Sequence, residues 1–339
     1  MARAPSKPSR TLSWPSSTRP GQPRPDTKRA GLPALFLSFP DVMSIDRPPI
    51  LNIGRISYLN VLPVFALLKE RLGLQSNRYR LISGHPNELN NLLARGDVDV
   101  SPSSSFEYLA RPEAYRLLPG AGISSRQEVQ SVVLATPVPT ADLAAFMASE
   151  DAPLQLTTAS ATSSALVRIL WRLHWNLPEP NIVLAPPGTA TSKPIPSLEI
   201  GDHALRLTLN PPKGWVILDL GREWRAMTGL PFVFAVWIVR RGLMGKKRQF
   251  LEEFSQALTE TVTDMDRCLA TLARHPEIPD WLSPQEAETY WRSMAYGLGP
   301  DEMAGLVVFG ALCRQLGLIP TTPALSWWRD TPPSRGITA

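Results

Sequence analysis

From Leu51 onward the chain alternates short β-rich runs with segments of helical periodicity, and this constrains its fold more than any other feature. "LNIGRI" reads as a strand. "VFALLKERL" follows as a helix with Val64, Leu67, Leu68 and Leu72 on one face, ended by Gly73. "PNELNNLLARG" is a second helix that Pro86 opens and Gly96 closes. "DVDVS" is a strand, "SSFEYLA" starts a helix, and "RLLP" and "VQSVVLAT" are β runs. "LQLTT" precedes "ATSSALVRILWRLHW", whose Leu166, Ile169, Leu170 and Leu173 recur at helical spacing. "IVLA", "SLEI", "WVILDLG" and "FVFAVWIVRR" add strands, and helices are expected at about 246–275, 284–296 and 300–316. Strands alternating with helices predict parallel, doubly wound sheets.

The ends are different. Residues 1–42 hold eight prolines and show no periodicity, so they read as a disordered tail. Met43 reads as the physiological start, or else the tail is dispensable. "LPALFLSF", Leu32 to Phe39, has the look of a short signal core but no small-residue cleavage site follows it. Residues 321–339 read as a proline-rich C-terminal tail. The formal charge of +5 suggests a nucleic-acid binder until it is located. Seven Lys/Arg and two Asp lie within residues 1–42, so residues 43–339 are neutral overall and the basic-patch argument fails. No apolar run is long enough to span a bilayer. Two cysteines, Cys268 and Cys313, and four scattered histidines give no CxxC and no HExxH, hence no motif for a metal.

Ligands of open α/β sheets bind beyond the carboxyl ends of strands. Five polar joints lie at such places: Ser57, Tyr58 and Asn60; Ser101 to Ser105; Ser131 within "VQSVV"; Thr157 to Ser164; and Asp202 in "IGDHAL". Hydroxyl-rich helix starts supply N–H groups and a partial positive dipole, which suits a carboxylate. Ser and Thr are also the preferred N-caps, so capping alone explains any single joint. Conventional catalysis has little support. A Ser104–His203–Asp202 triad lacks a G-x-S-x-G elbow, and no phosphate-binding glycine motif occurs. Trp224, Trp237 and the Phe232–Phe234 run read as core, with one aromatic as a candidate pocket wall.

Seven strings occur in order between Ile53 and Leu318: "IGRISYLNVLPV", "ELNNLLARGDVDVSPSSSFEYL", "VQSVVL", "SATSSALVRIL", "IGDHAL", "DLGREWRAMTGLPFVFAVW" and "YGLGPDEMAGLVVF". Together they resemble the chorismate dehydratases, the first enzymes of the futalosine route to menaquinone. The resemblance implies an α/β, two-lobe fold like type II periplasmic binding proteins, each lobe a sheet flanked by helices, with the ligand in the interlobe cleft. Lobe one would hold 50–140 and 235–320, and lobe two 141–234. The protein would be a cytoplasmic hydro-lyase without a cofactor. Its substrate would be chorismate, with no nucleic-acid or membrane partner. Oligomeric state is not legible.

The resemblance also assigns residues. Asn60 matches the active-site asparagine and Ser131 the active-site serine. Ser104 matches a Ser/Thr position, and Ser160, Thr162 and Ser163 a helix-start anion site. Ser57, Tyr58 and Asp202 complete the substrate-binding set, although Ser57 and Tyr58 stay open between capping and walling the pocket. The sequence departs from the family at Gln127, at His85 and in the proline-rich stretch between Ala185 and Ser197, which concerns the rim more than the floor. The rival reading is a carboxylate-binding or sensor protein on the same fold. The later pathway enzyme that relies on a histidine is a poorer match, since that family begins with a different motif from "RISYLN" and no motif histidine is present here.

No Glu, Lys or His stands at a motif position, so the substrate's own enolpyruvyl carboxylate is the expected base, with Asn60 and Ser131 orienting it. Asn60→Ala is expected to lower turnover by more than about tenfold, roughly 1.4 kcal/mol of barrier. A smaller loss in steady-state kinetics would remove Asn60 from the reaction centre.

Overall fold

A computed structural model describes residues 50–74 and 76–328. The expected tail at 1–42 lies outside these residues. The elements run β1 (Leu51–Ile56), α1 (Leu62–Leu72), β2 (Tyr79–Gly84), α2 (Pro86–Arg95), β3 (Val100–Ser104), α3 (Ser105–Ala110), β4 (Tyr115–Ser125) and β5 (Val132–Thr136). They continue α4 (Leu143–Glu150), β6 (Leu154–Thr157), α5 (Ala161–Ile169), β7 (Ile182–Ala185), β8 (Ser197–Ile200), α6 (Gly201–Leu209), β9 (Val216–Asp219) and α7 (Leu220–Thr228). The chain then returns through β10 (Phe232–Arg240), α8 (Gly245–Leu272), α9 (Pro284–Arg292), β11 (Met294–Gly297) and α10 (Pro300–Gln315).

The strands form two sheets, one six-stranded in the order β11-β4-β10-β3-β1-β2 and one five-stranded in the order β7-β6-β8-β5-β9. Both are mixed, which corrects the expectation of parallel sheets. β1 lies parallel to β2 and β3, whereas β10 runs antiparallel to β3 and β4. β5 runs antiparallel to β8 and β9. Alternation of strand and helix does not report the direction of a strand that returns after a long excursion. The partition expected from the sequence also shifts. β5 pairs in the second sheet, ahead of residue 141, and β10 pairs in the first from Phe232 onward. The chain thus passes between the sheets at 126–131 and again at 229–231.

Local chemistry explains most element ends. Gly73, Gly96 and Gly229 close α1, α2 and α7 in the left-handed conformation. Ser283 and Glu286 form a reciprocal capping box at the start of α9. Three boundaries differ from expectation. β3 includes "SPSS", so Ser101 and Ser103 are strand residues and the joint narrows to Ser104, which ends β3 and caps α3, and Ser105. The helix begun at Ala161 continues past Ile169 as a π-helical turn, Leu170–His174. The helix expected to reach 296 ends at Arg292, and Met294–Gly297 pairs with β4. Tertiary pairing overrides local propensity there. The expected C-terminal tail is tied down as far as the structure describes it. Leu117 N–H donates to Ser326 O at 2.8 Å and Trp328 N–H to Leu117 O at 2.7 Å.

Two apolar cores fill the molecule. Trp237 of β10 stacks between Phe65 of α1 and Phe254 of α8, with ring centroids 5.7 and 5.4 Å away. Phe232 packs on Trp224 of α7 and Phe309 of α10 at 5.0 and 4.9 Å. Gly305 lets α10 approach the return crossing, since a Cβ there would lie 2.1 Å from Pro231 O. No helix among the described residues is long and apolar enough to cross a membrane.

One buried charge staples the first sheet to α8. Asp99 is fully buried and accepts from Asn52 N–H at 2.9 Å, Arg240 Nε at 2.8 Å and Lys247 Nζ at 2.7 Å. Removing one partner of a buried ion pair strands the others. Asp99→Ala is expected to cost about 3 kcal/mol in denaturant unfolding, the low end of the range because Arg240 and Lys247 keep some contact with water. A loss under about 1 kcal/mol, the worth of an exposed pair, would contradict this role.

Candidate functional site

The cleft between the two sheets is built mainly from chain segments that leave a strand and enter a helix. After β1 the chain makes a short 3-10 turn, Leu59–Val61, before α1. Its backbone is gripped on three sides. Leu59 N–H donates to Asp202 at 3.1 Å, Trp291 Nε1 donates to Leu59 O at 2.8 Å, and Tyr296 OH donates to Asn60 O at 3.0 Å. The Asn60 side chain is left to face the cavity.

Ser131 is presented as rigidly. Gln130, just before it, holds the left-handed conformation (φ 61°) without being glycine. Such strain persists where the surroundings overdetermine it. Asp219, the N-cap of α7, accepts from Val129 N–H at 3.0 Å and Gln130 N–H at 2.6 Å. Thr208 Oγ1 donates to Gln130 O at 2.7 Å, and Gly201 N–H to Ser131 O at 2.8 Å.

These segments, with the starts of α3 and α5, enclose a cleft of about 570 Å³ including its open mouth. Its polar walls are Tyr58, Asn60, Ser104, Ser131, Ser160 and Ser163. Ile56, Ile123, Val129, Val132, Ile200 and Phe234 supply apolar walls, so Phe234 is the aromatic of its run that reaches the pocket. No charged side chain lines it. Ser104 Oγ caps α3 by accepting from Glu107 N–H, and Ser160 Oγ caps α5 by accepting from Ser163 N–H, each at 3.2 Å. Ser160 and Ser163 hydroxyls also lie 2.9 Å apart. The Tyr58 hydroxyl and Asn60 Oδ1 are buried without a partner among protein atoms. Burial, then the charges of Asp202 and Glu199, push the Tyr58 phenol up to about 12, so it remains a neutral donor. Its ring lies against Gly201, where a Cβ would come within 2.7 Å of it.

Three of the residues singled out from the sequence sit elsewhere. Ser57 is exposed and lines an outer hollow with Arg55, Ser83 and Glu277. Thr162 is buried under the cleft wall, where its Oγ1 accepts from Phe106 N–H of the opposite lobe at 2.9 Å. Asp202 holds Leu59 N–H and borders the outer hollow rather than the cavity. Asp202 and His203 do not join Ser104 in a triad: Asp202 instead holds the Leu59 backbone, and neither residue lines the cavity. Other cross-lobe contacts include Asn87 Nδ2 to Thr158 O. Among the described residues no group of His, Cys, Asp and Glu is arranged to hold a metal ion.

The residues that sequence reasoning missed are mostly supports. Trp291 and Tyr296 are buried, and they hold the carbonyls of Leu59 and Asn60. Nothing local marks them, because aromatic residues on α9 and β11 read as ordinary core. Glu199 is buried and tethers the proline-rich loop through Gly188 N–H at 2.7 Å.

A family model described as menaquinone biosynthesis matches residues 51–315. A chorismate dehydratase of Thermus thermophilus is 30% identical over 211 residues, which span 58% of this chain and 71% of that protein. A chorismate dehydratase of Campylobacter jejuni is 30% identical over 186 residues, spanning 54% of this chain and 64% of that one. Among solved structures, a protein from Archaeoglobus fulgidus superposes with a TM-score of 0.59 at 14% identity, over 80% of this chain and 98% of that one. The alkanesulfonate-binding protein SsuA of Xanthomonas axonopodis pv. citri, bound to MOPS, superposes with a TM-score of 0.59 at 15% identity, over 82% and 97%. These likenesses carry the two-lobe binding-protein fold.

Burial raises the Asp202 carboxyl above its ordinary value of 3.8, against the Leu59 N–H bond and the nearby His203 and Arg206. The folded state therefore binds this proton more tightly than the unfolded chain. The resulting stability is complete below the ordinary value and is lost as pH rises through the raised one. Asp202→Asn keeps an acceptor for Leu59 and removes the titration. Its melting temperature relative to wild type is expected to climb as pH is raised from 3 to 7. A difference that is flat, or falls, would show that burial of Asp202 carries no such cost.

Proposed function

The chain belongs to the menaquinone biosynthesis family, and from that premise we propose that its cleft dehydrates chorismate to 3-[(1-carboxyvinyl)oxy]benzoate. The observation that carries this reading is the convergence of Asn60 and Ser131 on one cavity that no charged side chain lines. The substrate is a dicarboxylate. The N-terminus of α5, with Ser160 and Ser163, offers N–H groups, hydroxyls and a partial positive charge to one carboxylate without a competing counter-ion.

The reaction needs little from the protein beyond placement. The C3–H bond breaks and its electron pair becomes the C3–C4 double bond that completes the aromatic ring. The C4–O bond breaks, and the hydroxide combines with the C3 proton as water. None of the lining residues is an ionised base, and Tyr58 remains protonated. The substrate's enolpyruvyl carboxylate therefore takes the C3 proton and passes it to the departing oxygen. Asn60 and Ser131 orient these groups and hydrogen-bond the negative charge that develops on the oxygen leaving C4. Tyr58 and Ser104 complete the polar lining, and Phe234 with Ile123 and Ile200 walls the ring. Thr162 and Asp202 act through the lobe contacts they make, and Ser57 stands at the outer rim. A cytoplasmic setting belongs to this proposal.

Incubation of purified protein with chorismate is expected to replace its ultraviolet spectrum with that of a substituted benzoate at catalytic protein concentration. A rise in melting temperature with chorismate but no product would instead favour a carboxylate-binding protein on this fold.

A further inference from the structure

Two adjacent residues of one lobe meet two adjacent residues of the other across the cleft. Leu59 N–H donates to Asp202 at 3.1 Å, and beside that bond the Tyr58 ring lies against Gly201. A Cβ at Gly201 would come within 2.7 Å of two ring carbons and 3.1 Å of the carbon that carries the hydroxyl. Gly201 holds the left-handed conformation (φ 63°) and donates its N–H to Ser131 O at 2.8 Å. The His85 ring packs on Tyr58 as well, with centroids 5.9 Å apart.

Tyr58 and Gly201 both line the cavity. The Tyr58 hydroxyl is buried and has no partner among the described residues. A buried donor without an acceptor carries a desolvation cost that a bound acceptor relieves. Ser104 and Ser160 already serve as helix caps, whereas the Tyr58 hydroxyl has no such task. We propose that the Tyr58 hydroxyl donates to a carboxylate of the substrate, and that Gly201 is the positioning residue whose missing side chain makes room for it. The inference rests on chorismate being the ligand of this cleft. The phenol stays protonated, and a bond from it to an ionised acceptor is stronger than one to a neutral group. The α5 terminus of the second lobe serves one carboxylate, and Tyr58 of the first lobe serves the other. A carboxylate has two oxygens, so a bond to one leaves the other free to take the C3 proton.

Tyr58→Phe keeps the ring and loses only the hydroxyl. It is expected to lower kcat/KM for chorismate about tenfold or more, mainly through KM, and to shift Tm by less than about 3 °C. Gly201→Ala is expected to lower kcat/KM by more than about tenfold in the wild-type background, but by less than about twofold in Tyr58→Ala, where no ring is left to displace. A packing role alone would leave kcat/KM per folded molecule unchanged in Tyr58→Phe. Retention of more than about half of wild-type kcat/KM by Tyr58→Phe overturns the role of Tyr58. A Gly201→Ala loss that persists in the Tyr58→Ala background overturns the role of Gly201. Both results leave the dehydration standing. A wild-type chain that binds chorismate without converting it overturns the functional reading alone. The inference then stands if Tyr58→Phe binds chorismate about tenfold less tightly, and falls if the two dissociation constants agree within about twofold. A chain that neither converts nor binds chorismate overturns both.

Discussion

Leu59 and Asn60 direct their carbonyls to two buried aromatic side chains, and Leu59 gives its N–H to Asp202 across the cleft. The rest of the site depends on this arrangement. A backbone held at three points cannot rotate to satisfy its own side chain, so Asn60 keeps its amide turned toward the cavity. The same bonds tie three distant pieces together: the strand end of the first sheet, the first turn of α6 in the second, and the α9–β11 segment.

Both groups proposed for the reaction centre are therefore preorganised through their backbones. Gln130 is bent into a conformation that favours glycine, and Asp219 and Thr208 hold it there. The cost of that geometry is borne by folding, not by substrate binding. A cavity with neutral walls then becomes chemically useful. Buried hydroxyl and amide groups in a low-dielectric space bind developing charge strongly, and no ionised side chain competes for the substrate's carboxylates.

Much of this was legible in the sequence. The capping of α3 by Ser104 and of α5 by Ser160 follows from small hydroxyl residues at the mouths of periodic segments, and those residues do line the cleft. The joint at Tyr58 and Asn60 could be found because polar groups crowd the end of an apolar strand. What stayed hidden has physical reasons. Thr162 stands beside Ser160 and Ser163 and has the same chemistry, but helical rotation turns it to the opposite lobe, where it caps Phe106. Asp202 binds backbone rather than ligand for a similar reason. Trp291 and Tyr296 stand far along the chain from the groups they support, and nothing in a single chain links a core aromatic to a distant carbonyl. The directions of β10 and β5 were hidden too, since the path of the chain between lobes sets them.

The contacts of Trp291 with Leu59 and of Tyr296 with Asn60 span 232 and 236 positions of sequence. On a ribosome, Asn60 and Ser131 emerge long before the residues that steady them. A nascent chain can complete the second sheet, whose strands all lie between Val132 and Asp219, while the first still lacks β10 and β11. Contacts so far apart in sequence close late and slowly. The cleft that Asn60 and Ser131 line is thus among the last parts of the molecule to take shape. A truncated product ending before α9 would carry both Asn60 and Ser131 and still have no assembled site.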